Sequence, residues 1–222
     1  MAENLWPGDI LEAKKIQDAL SKRVRIVPLR ETPALIAAVD ASFLDGRIIA
    51  VAALYKYPEL KYIRYTFSVR KVSFSYIPGL LAFREGPAII SAIKKLKKRP
   101  DVILFDGQGI AHPKGIGIAS HIGVILNIPT IGCAKSRLVG EFEEPDMEKG
   151  SWAYLYYRGM RVGAVLRTRS NVKPVFVSPG HMIDIDSSIE IVMKCVSKYR
   201  IPEPLRRADW LSKRQKKFGV LE

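Results

Sequence analysis

Apolar and polar positions along this chain form two kinds of segment: short runs suited to strands and longer ones with helical spacing. Asp9-Ile-Leu-Glu12 has the spacing of a capping box and predicts a helix over Ile10–Lys22. Ala34 to Asp40 reads as a buried strand ending in a carboxylate. Asp45-Gly46 signals a hairpin into a second apolar strand, Arg47 to Tyr55. The next strand alternates, with Ile63, Tyr65, Phe67 and Val69 on one face and Arg64, Thr66, Ser68 and Arg70 on the other. That pattern predicts one face against the core and one in water. Gly86-Pro87 predicts the start of a helix whose Ile89, Ile93 and Leu96 share a face, with Glu85 just before it.

Further along, Asp101 to Phe105 is a short apolar strand ending at Asp106, and Gly115 to Leu126 has helical character. Thr130 to Cys133 reads as another buried strand. Trp152 to Arg167 reads as two strands meeting at Arg158-Gly159. Pro174 to Val177 is a strand placed before Ser178-Pro-Gly-His181, and Ser187-Ser-Ile-Glu190 caps a last amphipathic segment through Val192, Cys195, Val196 and Tyr199. Three strands in a meander followed by alternating helix and strand predict an α/β fold, a mixed sheet flanked by helices on both faces. No repeat or linker interrupts the chain, so a single domain over residues 1–222 is expected.

Charge narrows the partner. The chain has 36 Lys+Arg against 22 Asp+Glu, a net charge of +14. A surplus of this size suits DNA, RNA or an anionic membrane surface, unless it serves only solubility. The basic runs lie between Lys94 and Arg99 and between Leu205 and Leu221, the second containing the single acid Asp209. Neither is amphipathic enough for a membrane-surface helix, and no apolar run approaches the ~18 residues of a membrane span. Met1 to Gly8 lacks the blocks of a signal peptide, and Cys133 and Cys195 sit in apolar stretches, too few for a disulfide scaffold. The expected setting is the cytoplasm, with the chain acting as a monomer and no membrane partner.

Chemistry enters with the acids. Asp40 and Asp106 each end an apolar strand, where ligands of open α/β sheets bind. A carboxylate after an apolar run is costly unless it is paired, hydrogen-bonded or bound to a cation. Each acid alone could cap a helix or pair with a neighbour such as Arg84. With Glu85 they make a hard-oxygen set suited to Mg²⁺ or Mn²⁺ rather than to structural zinc. In a basic protein such a set points to metal-assisted phosphodiester chemistry, because the metal activates water and stabilises the leaving alkoxide while cations grip flanking phosphates. Gly107-Gln-Gly109 is no dinucleotide fingerprint, since the third glycine would fall at His112. No P-loop occurs.

Five blocks remain: Tyr76-Ile-Pro-Gly-Leu-Leu-Ala-Phe-Arg-Glu-Gly-Pro87, Phe105-Asp-Gly-Gln-Gly-Ile-Ala-His-Pro113, Gly117-Ile-Ala-Ser-His121, Gly132-Cys-Ala-Lys-Ser-Arg-Leu-Val-Gly140 and Ser178-Pro-Gly-His181. In this order they resemble the endonuclease V family, nucleases of inosine-containing nucleic acid, from Val39-Asp40 to Pro202-Glu-Pro204.

The resemblance implies an RNase H-like fold with Asp40, Glu85 and Asp106 as the Mg²⁺ site and Mn²⁺ as a substitute. It implies that Lys135 stabilises charge on the reacting phosphate, and that His181 is the active-site histidine, near the attacking water or the metal. His181 could otherwise cap the helix at Ser187. Tyr76, Ile77, Pro78 and Gly79 correspond to the wedge that fills the gap left by the extruded lesion. Gly79, Gly107 and Gly109, with Ile118 and Leu138, would form the hypoxanthine pocket. His112 lies in a family motif and is a possible substrate contact, while His121 suits packing or a phosphate contact. Two departures stand out: Ser75 where the family commonly has Pro, which loosens the wedge, and Met182 where an Arg often follows the histidine. The implied activity is a DNA repair endonuclease that recognises deoxyinosine and hydrolyses the second phosphodiester on its 3′ side, leaving 3′-hydroxyl and 5′-phosphate ends. Inosine in RNA is the alternative substrate, and a non-catalytic nucleic-acid-binding module is the alternative class.

Overall fold

The computed structural model describes residues 5–217; residues 1–4 of the Met1 to Gly8 stretch, and 218–221 of the second basic run with Glu222, lie outside them. Asp9 caps α1 (Ile10–Ser21), its carboxylate accepting the Glu12 N–H at 2.8 Å, as the capping-box spacing predicts. β1 (Leu35–Leu44), β2 (Arg47–Lys56) and β3 (Lys61–Lys71) form the antiparallel meander. α2 (Leu81–Lys94), β4 (Val102–Phe105), α3 (Ile118–Leu126) and β5 (Thr130–Ala134) follow, with β4 parallel to both β1 and β5. The hairpin β6 (Trp152–Tyr157) and β7 (Met160–Leu166), then β8 (Val175–His181), add antiparallel strands. α4 (Ile185–Lys194) and α5 (Glu203–Lys217) come last. The sheet order is β3-β2-β1-β4-β5-β8-β7-β6.

Alternate residues of the central strands feed two cores. Ile36, Ala38, Leu104 and Cys133 face α4 and α5, together with Leu205, Ala208 and Leu211 of α5. Ala37, Val39, Ile103 and Phe105 face α2 and α3. Helices therefore cover both faces, as the α/β reading expects. α1 lies outside, joined to the α2 end by Ala13, Phe74, Leu80 and Phe83.

Several local expectations are corrected. α2 begins at Leu81, five residues before Gly86, so Glu85 lies inside the helix and Pro87 is an interior proline. Gly86 is needed there because a β-carbon would meet the Trp6 ring at 2.8 Å and Ile122 at 3.1 Å. The polar side of β3 faces water only at its end: Arg70 is exposed, but Thr66 and Ser68 are buried, and Thr66 Oγ1 donates to Ala92 O of α2 at 2.6 Å. α3 starts at Ile118 rather than Gly115. Asp184, not Ser187, caps α4, its carboxylate accepting the Ser187 N–H at 2.8 Å, and the helix stops at Lys194. Ser178 to His181 continue β8 instead of following it.

Candidate active site

β1 outruns its parallel neighbour β4, and this creates the site. Val39 pairs with Phe105, the last residue of β4, so Asp40 and Asp106 are the next residues on adjacent strands. Both share parity with the residues facing α5, as does Lys135, two beyond Cys133 on β5. Glu85 reaches the same place from α2, and its charge and that of Asp40 act on each other. Asp40, Glu85, Asp106 and Lys135 are thus brought together at the carboxyl ends of the central strands.

Burial and mutual repulsion set the electrostatics. Burial, more than the neighbouring acids Asp209 and Asp106, pushes Asp40 up to about 6, against the lowering effect of a Ser212 hydrogen bond. Burial likewise pushes Glu85 up to about 7, helped by Asp40 and opposed by Arg84. Lys135 Nζ donates to Asp106 Oδ2 at 2.5 Å. Burial alone would lower the Lys135 ammonium, but this bond and the Asp106 charge together hold its pKa above the ordinary value. Two residues that the motifs did not bring forward complete the group, both from α5. Ser212 Oγ donates to Asp40 Oδ2 at 2.5 Å, and Asp209 lies close enough for its charge to raise Asp40. Asp209 is held by Lys213, whose ammonium stands 2.7 Å from its carboxylate.

Beside the acids a cavity of about 260 Å³ opens on the α2/α3 side of the sheet. Gly107 and Ser136, the residues after Asp106 and Lys135, form part of its wall, and Tyr76, Ile77, Pro78, Gly79, His112, Ile118 and Leu138 form most of the rest. Tyr76 stands at its mouth, 66% exposed. Gly79 has a φ of +82°, in the left-handed region. Its carbonyl accepts Gln17 Nε2 from α1 at 2.8 Å and also hydrogen-bonds His112, while Leu80 N donates to Ile77 O at 2.9 Å. These ties and the burial of Phe74 hold the loop that Ser75 was expected to loosen. Burial pushes His112 down to about 4, and its Nδ1 accepts the Lys114 N–H at 3.2 Å, so it is a neutral wall residue with both nitrogens engaged. Gln108, also in the wall, donates through Nε2 to Ser136 O at 3.1 Å and leaves Oε1 buried without a partner.

Two expected residues, Gly109 and His181, lie elsewhere, and His121 takes the packing role that was one of its two readings. Gly109 is not in the cavity wall: a β-carbon there would stand 2.1 Å from Pro179 O, so it packs β4's following loop onto β8. His181 pairs with Thr130 at the start of β5, whereas Lys135 follows its end. At about 3.3 Å per residue, that puts it ~16 Å away along the strand, at the amino end of the sheet. There Nδ1 accepts the Arg25 N–H at 3.2 Å, and Met182 donates its N–H to Arg25 O at 2.7 Å. His121 is fully buried between Trp6 and Phe83, with ring centroids at 6.2 and 4.7 Å.

Comparison with known proteins decides the family. The sequence model described as Endonuclease V matches residues 18–210. The chain belongs to the endonuclease V family. It is thereby a hydrolase, a DNA-binding endonuclease of DNA repair. Endonuclease V of Dictyoglomus turgidum is 49% identical over 209 residues, covering 94% of this chain and 91% of that protein. The crystal structure of endonuclease V from Streptomyces avermitilis superposes with a TM-score of 0.92 at 40% identity, over 96% of this chain and 95% of that one. Endonuclease V of Ciona intestinalis, solved in complex with a 24mer DNA containing an inosine followed by a ribo-adenosine, superposes with a TM-score of 0.81 at 27% identity, over 94% and 98%. No helix among the described residues is long and apolar enough to cross a membrane.

Proposed function

We propose that this endonuclease V depends on Mg²⁺, with Mn²⁺ as a substitute, and recognises deoxyinosine in DNA. In this reading it hydrolyses the second phosphodiester bond 3′ to the lesion and leaves 3′-hydroxyl and 5′-phosphate ends. One observation carries it: four ionisable groups, three of them acids, sit at the strand ends beside a base-sized cavity that shares their loops.

The donor set fits a hard divalent ion. Asp40 and Glu85 are carboxylates destabilised by burial and by neighbouring acids, a cost that a bound cation would relieve. Among the described residues no three His, Cys, Asp or Glu side chains stand together as a metal-holding group, and Ser212 and Lys135 hold Asp40 and Asp106. Asp40, Glu85 and Asp106 would hold the ion, with Asp209 beside them. When bound, the ion supplies an activated water and charge stabilisation at the leaving oxygen. Lys135, anchored on Asp106, faces the phosphate that these acids would otherwise repel, and stabilises its developing charge. Ser212 fixes one oxygen of Asp40 and leaves the other free.

Recognition falls to the cavity. Ile77, Pro78, Ile118 and Leu138 offer apolar surface to a flipped base, and Tyr76 at the mouth takes the place the base vacates in the stack. Gln108 Oε1 lacks a donor. Hypoxanthine carries an N1–H that can supply one, whereas N1 of adenine is an acceptor. Neutral His112 keeps the wall uncharged.

The test uses matched DNA and RNA oligonucleotides, each with one inosine, incubated with Mg²⁺ or with EDTA. Cleavage of the DNA at the second bond, only with Mg²⁺, is expected. Failure to cut either strand with metal present overturns the proposal, and cutting of RNA alone assigns the alternative substrate.

A further inference from the structure

The second basic run lies mostly on α5, and α5 is where Asp209 and Ser212 come from. Its apolar residues Leu205, Ala208 and Leu211 face the sheet, on the side opposite the cavity. Arg206, Trp210 and Arg214 are spaced four apart and share a different stripe of the helix. Trp210 is 52% exposed although it follows Asp209 directly. The Arg214 guanidinium stands 5.2 Å from the centre of the Trp210 ring. Arg206 lies 3.3 Å from the ring centre of Tyr199, itself exposed, and Lys198 lies 5.4 Å from the same ring. Lys213, Lys216 and Lys217 continue the positive charge toward the helix end, against Glu203 and Asp209 on the same helix.

From this arrangement we infer that the Tyr199–Arg206–Trp210–Arg214 stripe is a docking surface for the strand on the 3′ side of the cut. The inference rests on the proposed function, because it takes the lesion and the cut bond as fixed points. The lesion base occupies the cavity on the α2/α3 face. The bond to be cut lies at Asp40 and Asp106, whose side chains point to the α5 face. A strand running from the first point to the second crosses the end of the sheet from one face to the other. Its continuation beyond the cut meets α5, where Trp210, next to Asp209, presents an exposed ring.

The chemistry suits that occupant. Exposed indole and phenol rings offer stacking surfaces that any base can use, and guanidinium groups over the rings pair with phosphates between the bases. Lys213 pairs with Asp209, which offsets part of the acid's repulsion of the approaching backbone. A plain hydrophobic partner would not need the cations, and a plain electrostatic one would not need an exposed tryptophan.

The experiment measures binding by fluorescence anisotropy in EDTA, where no turnover occurs. Three single-stranded inosine oligonucleotides are compared: one with ten nucleotides on each side, one ending three nucleotides 3′ of the inosine, and one shortened equally on the 5′ side. Wild type is expected to bind the full strand about tenfold more tightly than the 3′-shortened one, within the range for one stacked base. Trp210→Ala is expected to bind those two equally, and Trp210→Phe to restore most of the difference. Arg206→Gln and Arg214→Gln should each lower the salt dependence of full-strand binding by about one phosphate contact. The inference is overturned if Trp210→Ala leaves the 3′ effect intact, or weakens all three strands by one factor. Wild-type preference for the full inosine strand over its adenosine counterpart is measured alongside. Its absence would sink the proposed function, whatever the flank result.

Discussion

Two aspartates bracket β4, and they do opposite things. Asp101, just before the strand, accepts the backbone N–H groups of Ala34 and Leu35, both at 2.9 Å on one oxygen. It thereby fastens the start of β1 to β4. Asp106, just after the strand, has Lys135 on it and acids around it. The two ends of the sheet differ in the same way. At the amino end, a groove of about 760 Å³ is lined by Pro28, Arg30, Pro33, Arg99, Asn127 and Met182, and Arg99 there donates to Asn127 O at 2.8 Å. At the carboxyl end, the cavity is a third of that size, and charged groups beside it are left in conflict. Size would choose the wrong end. Acids satisfied by backbone amides belong to the scaffold, and acids facing other acids belong to the chemistry.

The sharpest test of this contrast replaces the two aspartates in turn. Asp106→Asn should reduce single-turnover cleavage by on the order of 10³-fold while inosine-strand binding persists. Equal rates for variant and wild type would break the comparison. A smaller effect concerns pH. Asp40 near 6 and Glu85 near 7 must lose their protons to bind metal. Cleavage at subsaturating Mg²⁺ should therefore fall about tenfold per unit between pH 7 and 6 and approach a fall of about a hundredfold per unit below pH 6, where two protons must leave. Stability runs the other way. In metal-free protein these acids hold protons more tightly folded than unfolded. Their contribution is full below about pH 4 and is lost as pH rises through about 6 to 7. Melting curves in EDTA should show that loss, and excess Mg²⁺ should abolish it.

Asp101→Ala should leave the cleavage rate per folded molecule within about twofold. It should lower stability by about 3 kcal/mol, the loss of two charge-assisted bonds. For a chain of this length the melting temperature then falls by roughly 6–12 °C. The smallest effect is expected at His181. Burial and the nearby Arg25 and Arg23 push it down to about 4, so its neutral form contributes stability above about pH 6.5 that is lost as pH falls through 4. His181→Gln should cleave within about threefold of wild type and lose less stability in acid. A loss of activity as large as that of Asp106→Asn would instead return this histidine to the reaction.

The strand-end acids were legible in the sequence because an apolar run that stops at a carboxylate marks both a strand and its end. Asp40 and Asp106 stand where that reasoning puts them. His181, which the family resemblance alone brought to the site, does not, for a geometric reason. Following an apolar strand places a residue at the carboxyl end of that strand, but β8 is antiparallel to β5, so its carboxyl end is the sheet's amino end. Strand direction is a property of the sheet, not of the local pattern. Asp209 was hidden differently. A lone acid among many cations reads as part of a solvated face, and only the docking of α5 across β1 shows what it meets. The available signal was its flank: Leu205, Ala208, Leu211 and the small Ser212 make an apolar, close-packing stripe beside it. The buried polar side of β3 was missed because α2 covers it, a tertiary choice that alternation cannot express.

The bond between Ser212 and Asp40 joins residues 172 positions apart. During synthesis β1, α2, β4 and β5 leave the ribosome long before α5 does. A growing or truncated chain therefore carries Asp40, Glu85 and Asp106 on a sheet whose face toward Leu205, Ala208 and Leu211 is still bare. It has neither the hydroxyl that fixes Asp40 nor the fourth acid. Order of synthesis thus brings the hydroxyl that holds Asp40, and the acid beside it, to the site last of all.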